Sequence, residues 1–248
     1  FDDPHFLCSA SAFAGWAEGR KELRLEHFYR WIRRRDAVLM DGADPVGGAW
    51  NFDKDNRRSF GRKGPGLLQA PLGFAPDAIT SDVMRLVQTR FPRAPGSLAV
   101  FDWPVTAEQA EAALDDFIRH RLPAFGPFQD AMWRGEPVLY HARLSAALNL
   151  KLIDPRRVID AAIAAHRDGQ APIASVEGFV RQIIGWREFI RGIYWTQPKS
   201  YRDRNALRQY GALPEFYWSG ETDMSCVREC LRPVLEHGYS HHIPRLMV

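Results

Sequence analysis

A mainly helical fold is what this sequence predicts, with its clearest expression between residues 106 and 248. Three observations predict it. Apolar residues recur at 3.6-residue spacing in several long stretches. Helix-start signals stand in front of those stretches. No internal repeat and no convincing series of alternating strands competes with them.

Taken in order, residues 17 to 40 predict a helix with Leu25, Phe28, Tyr29 and Ile32 on one face. Arg20, Lys21, Arg24, Arg30, Arg33, Arg34 and Arg35 lie on the other, as a solvated face or a phosphate-binding surface. From Asp41 to Pro76 glycines and prolines break the pattern, and an aromatic and basic run, Trp50 to Arg58, sits inside this irregular stretch. A short helix is expected from Ser81 to Arg90.

Thr106 and Gln109 form a capping box for a helix carrying Leu114, Phe117 and Ile118 and stopping before Pro123. Asp154-Pro155 is a second start signal, for a helix presenting Val158, Ile159, Ala162 and Ile163. A third helix begins at Ser175, with a broad stripe from Phe179 through Ile183, Ile184, Trp186 and Ile190 to Tyr194. A fourth covers Ser225 to His237, with Pro233 expected to kink or shorten it.

Composition excludes several classes. The 248 residues are 46 % hydrophobic and 25 % charged, the balance of a globular chain. No apolar run approaches the roughly 20 residues of a membrane span. The opening Phe1-Asp2-Asp3-Pro4 is acidic where a secretory leader is basic. Three cysteines, an odd number, point to a reducing compartment, the cytoplasm by default. A net charge of +3 permits a polyanionic partner without requiring one. The start at Phe and the apolar Leu246-Met247-Val248 end lead us to expect a fragment of a longer chain.

Several groups could carry chemistry. Arg143 and Ser145, within Tyr140 to Asn149, can bind a phosphate by charge and hydroxyl, or the small residues there can simply let helices pack. Glu188 and Arg191 are spaced to pair along a helix. Cys226 and Cys230 share a helix face, as buried thiols or as part of a metal site for which two ligands are too few. His241 and His242 are candidate proton donors or satisfied structural histidines.

Together these segments resemble the photolyase and cryptochrome flavoproteins. Gly185-Trp186-Arg187-Glu188-Phe189 resembles their Trp-Arg-Glu-Phe helix, and Arg143-Leu144-Ser145 with Asn149 resembles the loop that holds the flavin diphosphate, His141 standing at its Ser/Thr place. Ser240 to Met247, Gly47 to Asp53 and Gly19 to Arg24 resemble the bacterial photolyase-related branch, the iron–sulfur bacterial cryptochromes and (6-4) photolyases.

The resemblance implies a helical FAD-binding domain over residues 106–248 and an interdomain linker over 51–105. Residues 1–50 would then be the tail of an α/β antenna domain that binds lumazine upstream. It implies FAD contacts at or beside His141, Arg143, Leu144, Ser145, Asn149, Gln182, Trp186 and Arg187. His242, with His241 beside it, would face the lesion, and Trp218 would pass electrons to the flavin. Cys226 would be the first of four ligands to a [4Fe–4S] cluster, the other three lying downstream, whereas Cys8 and Cys230 are structural. Pro244 departs from the family pattern and is expected to bend the helix presenting His242. The implied function is light-driven repair of (6-4) photoproducts by a monomer acting on UV-damaged DNA, with Lys199, Arg202, Arg204 and Arg208 as a basic rim. The rivals are a cryptochrome photoreceptor and a cofactor-free basic helical nucleic-acid-binding module.

Overall fold

The computed structural model describes residues 3–248; Phe1 and Asp2, half of the acidic opening, lie outside the described residues. The helix expected over 17–40 is confined to residues 25–36, and a separate short helix precedes it. Helix α1 (Ala10–Ala17) starts where the Ser9 hydroxyl accepts the Ala12 N–H at 3.1 Å. Helix α2 spans Leu25–Asp36, and Gly19, with φ +71°, lies in the turn between them.

Helix α2 buries Phe28, Tyr29 and Ile32, the stripe read from the sequence, and also Arg33. Arg33 is therefore no part of a solvated face. Its guanidinium donates to the carbonyls of Val38, Leu39 and Trp50 at 3.2, 2.6 and 3.1 Å, and lies over the rings of Tyr29 and Trp50. A buried charge is tolerable when acceptors replace its water in this way.

A two-residue antiparallel hairpin, β1 (Met40–Asp41) with β2 (Asp44–Pro45), leads into the irregular stretch. Helix α3 (Ala78–Arg90) begins three residues before the expected start because Asp77 caps it, accepting the Thr80 N–H at 2.7 Å. It buries none of its residues, so Ile79, Val83 and Leu86 face outward.

Helix α4 (Ala107–His120) starts at the predicted box: Thr106 accepts from the Gln109 N–H at 3.2 Å, and Gln109 reaches back to the Val105 N–H at 2.8 Å. Pro123 then opens α5 (Leu122–Phe128). A five-residue helix, α6 (Ser145–Asn149), precedes α7 (Pro155–Arg167), which Asp154 caps as expected.

Helix α8 (Ile173–Val180) runs into a π-helical turn, Arg181–Arg187, and on into α9 (Glu188–Thr196). The predicted stripe does not survive this passage intact. Ile183, Ile184 and Phe189 are buried, but Trp186, Ile190 and Tyr194 stand in solvent. A wider turn shifts the phase of every later residue, by about 100° for each residue inserted. A single 3.6 period drawn through both halves therefore fails.

Beyond α10 (Phe216–Ser219), α11 (Ser225–His237) contains Pro233 without stopping there; it closes on Gly238 at φ +60°. In α12 (His242–Met247) Pro244 lies in the first turn, where a helix has no internal acceptor for the missing N–H. Pro244 therefore costs α12 no internal hydrogen bond.

One core joins the early helices to the late ones. Phe13, Trp16 and Phe28 pack with Phe189 of α9 at ring separations of 5.1–6.3 Å. Phe117, Phe125 and Phe179 make a second aromatic group in the same core. Helices α1 and α2 thus both contribute to this core.

The irregular stretch is also pinned down. Phe52 donates its N–H to Glu177 at 3.3 Å, and Asp53 pairs with Arg181. Buried Asn56 donates to the Ala174 carbonyl at 2.9 Å, and Phe60 stacks on Phe128 at 4.6 Å. Residues 52–60 form a strap across α5, α8 and the π-turn.

Candidate functional site

Three histidines far apart in the sequence meet at the start of α12. His141, in the loop before α6, stacks on His241 with ring centroids 4.3 Å apart and planes 16° from parallel. His242 approaches the His141 ring edge-on at 5.5 Å. Residue 241 is the N-cap of α12 and 242 its first helical position, so the helix start turns the two rings apart by 67°.

Their environments differ. His141 and His241 are buried, whereas His242 is exposed and its Nε2 lies 2.9 Å from Oδ1 of Asp130. Burial, and then the neighbouring rings, holds His141 well below the ordinary histidine range. The same two causes, burial first, pull His241 down to about 4. Both are neutral at pH 7. His141 Nε2 and His241 Nδ1 have no hydrogen-bond partner. Asp130, in the turn after α5, had no signal in the sequence, since 112 residues separate it from His242.

Two hollows adjoin this cluster. A cavity of about 430 Å³ is lined by His241, Pro244, Met132, Trp133, Cys226 and Cys230. A more open cleft of about 730 Å³ lies between α6 and the α11–α12 corner, lined by Ser145, Asn149, Trp103, Tyr239, Ser240 and Arg245. Hydroxyl, amide, guanidinium and flat rings around one cleft suit a ligand that joins an aromatic system to phosphates.

The other predicted site residues divide into groups. Leu144 is buried in the core. Arg143, in the left-handed region at φ +55°, turns its guanidinium to Asp102 at 2.6 Å and over the Trp103 ring at 4.4 Å. It is already ion-paired and holds the 141–149 loop to the residues before α4, which the sequence reading did not foresee.

Gln182 lies in the π-turn and donates to the Gly178 carbonyl at 3.1 Å. Arg187 donates to the His5 carbonyl at 3.0 Å and covers the Phe6 ring. Glu188 accepts the Leu7 and Cys8 N–H groups at 3.1 and 3.0 Å, and Arg191 donates to the Cys8 carbonyl at 2.8 Å. The expected Glu188–Arg191 pairing is thus replaced by a shared hold on residues 5–8. Burial pushes the Glu188 carboxyl up, and the two N–H groups oppose that shift.

Trp186 stands half in solvent, as does Trp218 on α10. Cys226 is exposed in the first turn of α11, and Cys230 is buried one turn on. Cys8 is buried in the hydrophobic core. Both Cys226 and Cys230 line the 430 Å³ cavity. Lys199, Arg202, Arg204 and Arg208 are all exposed.

No helix among the described residues is long and apolar enough to cross a membrane. A family model described as deoxyribodipyrimidine photo-lyase-related protein matches residues 1–103. A (6-4) photolyase of Agrobacterium fabrum is 46 % identical over 248 residues, covering 99 % of this chain and 48 % of the relative. Two uncharacterised proteins of Acanthamoeba polyphaga mimivirus match shorter parts. One is 29 % identical over 114 residues, 46 % of this chain and 87 % of its own; the other is 31 % identical over 67 residues, 25 % and 34 %. The chain spans about half the length of the (6-4) photolyase it matches. The identity over nearly the whole chain, the family match at its start and the mainly helical fold agree: this chain belongs to the deoxyribodipyrimidine photo-lyase-related family.

Proposed function

We propose that this chain is the flavin-binding part of a light-driven photolyase acting on pyrimidine (6-4) pyrimidone photoproducts in UV-damaged DNA. The observation that carries this reading is the exposed His242, backed by Asp130 and set against two neutral buried histidines. A carboxylate hydrogen-bonded to an imidazole fixes the orientation of the ring. The ring is then placed to give a proton to a lesion as it accepts an electron. His141 and His241, kept neutral by burial, do not compete for that proton.

FAD, when bound and excited, supplies the electron. Ser145 and Asn149, facing Arg245 across the open cleft, would hold its phosphates, with Trp103 and Tyr239 alongside. Arg143 acts there as a positioning residue, through Asp102. Trp218 stands exposed as an electron relay, and Cys226 as one ligand of a [4Fe–4S] cluster completed by residues outside this chain. The lesion would leave the duplex to reach His242, which costs least for a base already poorly stacked. The exposed cations between Lys199 and Arg208 would hold the backbone beside it.

The test is illumination of the full-length protein with an oligonucleotide carrying one (6-4) photoproduct. Restoration of the original bases in light and not in darkness is expected. A yellow protein that leaves the lesion intact would be a photoreceptor, and a colourless one that still binds DNA would be a nucleic-acid-binding module; either overturns the reading.

A further inference from the structure

We propose that His141, His241 and His242 form a binding site for one divalent transition-metal ion of the zinc class, with an imidazole nitrogen from each as ligand. Each ring offers one nitrogen, and the three lie within 4.8 Å of one another. Three histidines with a fourth position left open is a known zinc arrangement. Nitrogen donors favour zinc, copper or nickel over magnesium or calcium.

The nitrogens are available. His141 and His241 are 8 % and 5 % exposed, and His141 Nε2 and His241 Nδ1 are buried without partners. An ion shared between them removes both unsatisfied groups at once. The outer contacts are in place as well. The Gln129 backbone lies next to the His141 ring. The Asp130 carboxylate takes Nε2 of His242, which leaves that ring's Nδ1 to coordinate. A carboxylate partner of this kind fixes the tautomer and orientation of a metal-binding histidine.

The pair that stacks must splay for coordination. In a tetrahedral site with Zn–N bonds near 2 Å the ligand nitrogens are about 3.3 Å apart, and each ring plane contains the metal. The 430 Å³ cavity that His241 lines gives its ring room to turn. The fourth position is left for water. An ion there would take Nδ1 of His242 and exclude a proton from it, so zinc would inhibit repair. That corollary rests on the repair reading; the binding itself does not.

The full-length protein should be titrated with Zn2+ by calorimetry and with Co2+ by absorption difference spectra. One equivalent bound, with tetrahedral Co2+ bands and no thiolate charge-transfer band, is expected. His141→Phe, which keeps a ring in the stack, and His242→Asn should each weaken binding at least tenfold. Asp130→Asn should weaken it by about 10–100-fold, as outer-contact changes do. Cys230→Ser should leave it unchanged. If His141→Phe does not fold, the exposed His242→Asn variant decides. No binding, a thiolate band, or equal affinity in the histidine variants and the parent protein overturns the site.

Discussion

His241 and His242 are adjacent in sequence and opposite in setting, the first buried and the second exposed against Asp130. His242→Ala removes the ring paired with Asp130 and is expected to lower the light-driven repair rate by about 10²–10⁴-fold, the usual range for a general acid. Flavin absorbance of the purified protein should be unchanged, which separates a lost proton donor from a lost cofactor site. His241 makes itself felt in stability. Its folded pKa is about 4 against 6.5 in an open chain, so between those pH values the unfolded state binds more protons. Folding stability should therefore fall as pH drops from 6.5 towards 4, by up to about 3 kcal/mol, and should not vary on this account above 6.5. Denaturant melts of the parent and of His241→Phe would show it, the variant having the shallower pH slope. At this scale the sequence was partly legible. The paired histidines and His141 stood out as residue types, but Asp130 and Asp102 became visible only through contacts across 112 and 41 positions.

Among the elements, those with chemical punctuation were the most legible. Thr106, Asp154 and the stripe of α2 are local signals, read correctly because caps and periodicity act within one or two turns. Thr106→Ala should destabilise the protein by about 1 kcal/mol, measured as a lower urea midpoint with an unchanged denaturant slope. The π-turn was illegible, because no residue type marks a widened turn and its effect is a phase shift in the residues C-terminal to it. Arg33 was misread for a related reason. It lies four positions after Tyr29, on the buried face of α2, but its residue type reads as a surface charge, and the carbonyls of Val38, Leu39 and Trp50 that satisfy it lie outside the helix.

Across the whole molecule the close approach of α5 to α8 decides the packing. A Cβ on Gly126 would sit 2.7 Å from Cα of Ser175 and 2.8 Å from its backbone N. Backbone cannot turn aside as a side chain does, so Gly126→Ala should cost about 1–3 kcal/mol and lower the melting temperature. The same contact joins the strap, since Asn56 sits against Gly126 and bonds to Ala174. Glycines and prolines mark the stretch from Asp41 to Pro76 as irregular, but composition says nothing of the side chains that dock residues 52–60.

The clasp of Asp53 on Arg181, with Glu177 behind, has a consequence for how the chain meets a protease. Residues 52–58 have a loop's composition but are tied down at Phe52, Asp53, Asn56 and Arg58, whereas Gly61 to Gly66 carry far fewer anchors. Trypsin should therefore nick the native protein first at Arg62 or Lys63 and spare Arg57 and Arg58. Arg181→Ala should release the clasp and bring the earlier sites into play, which a digest timed by mass spectrometry would record.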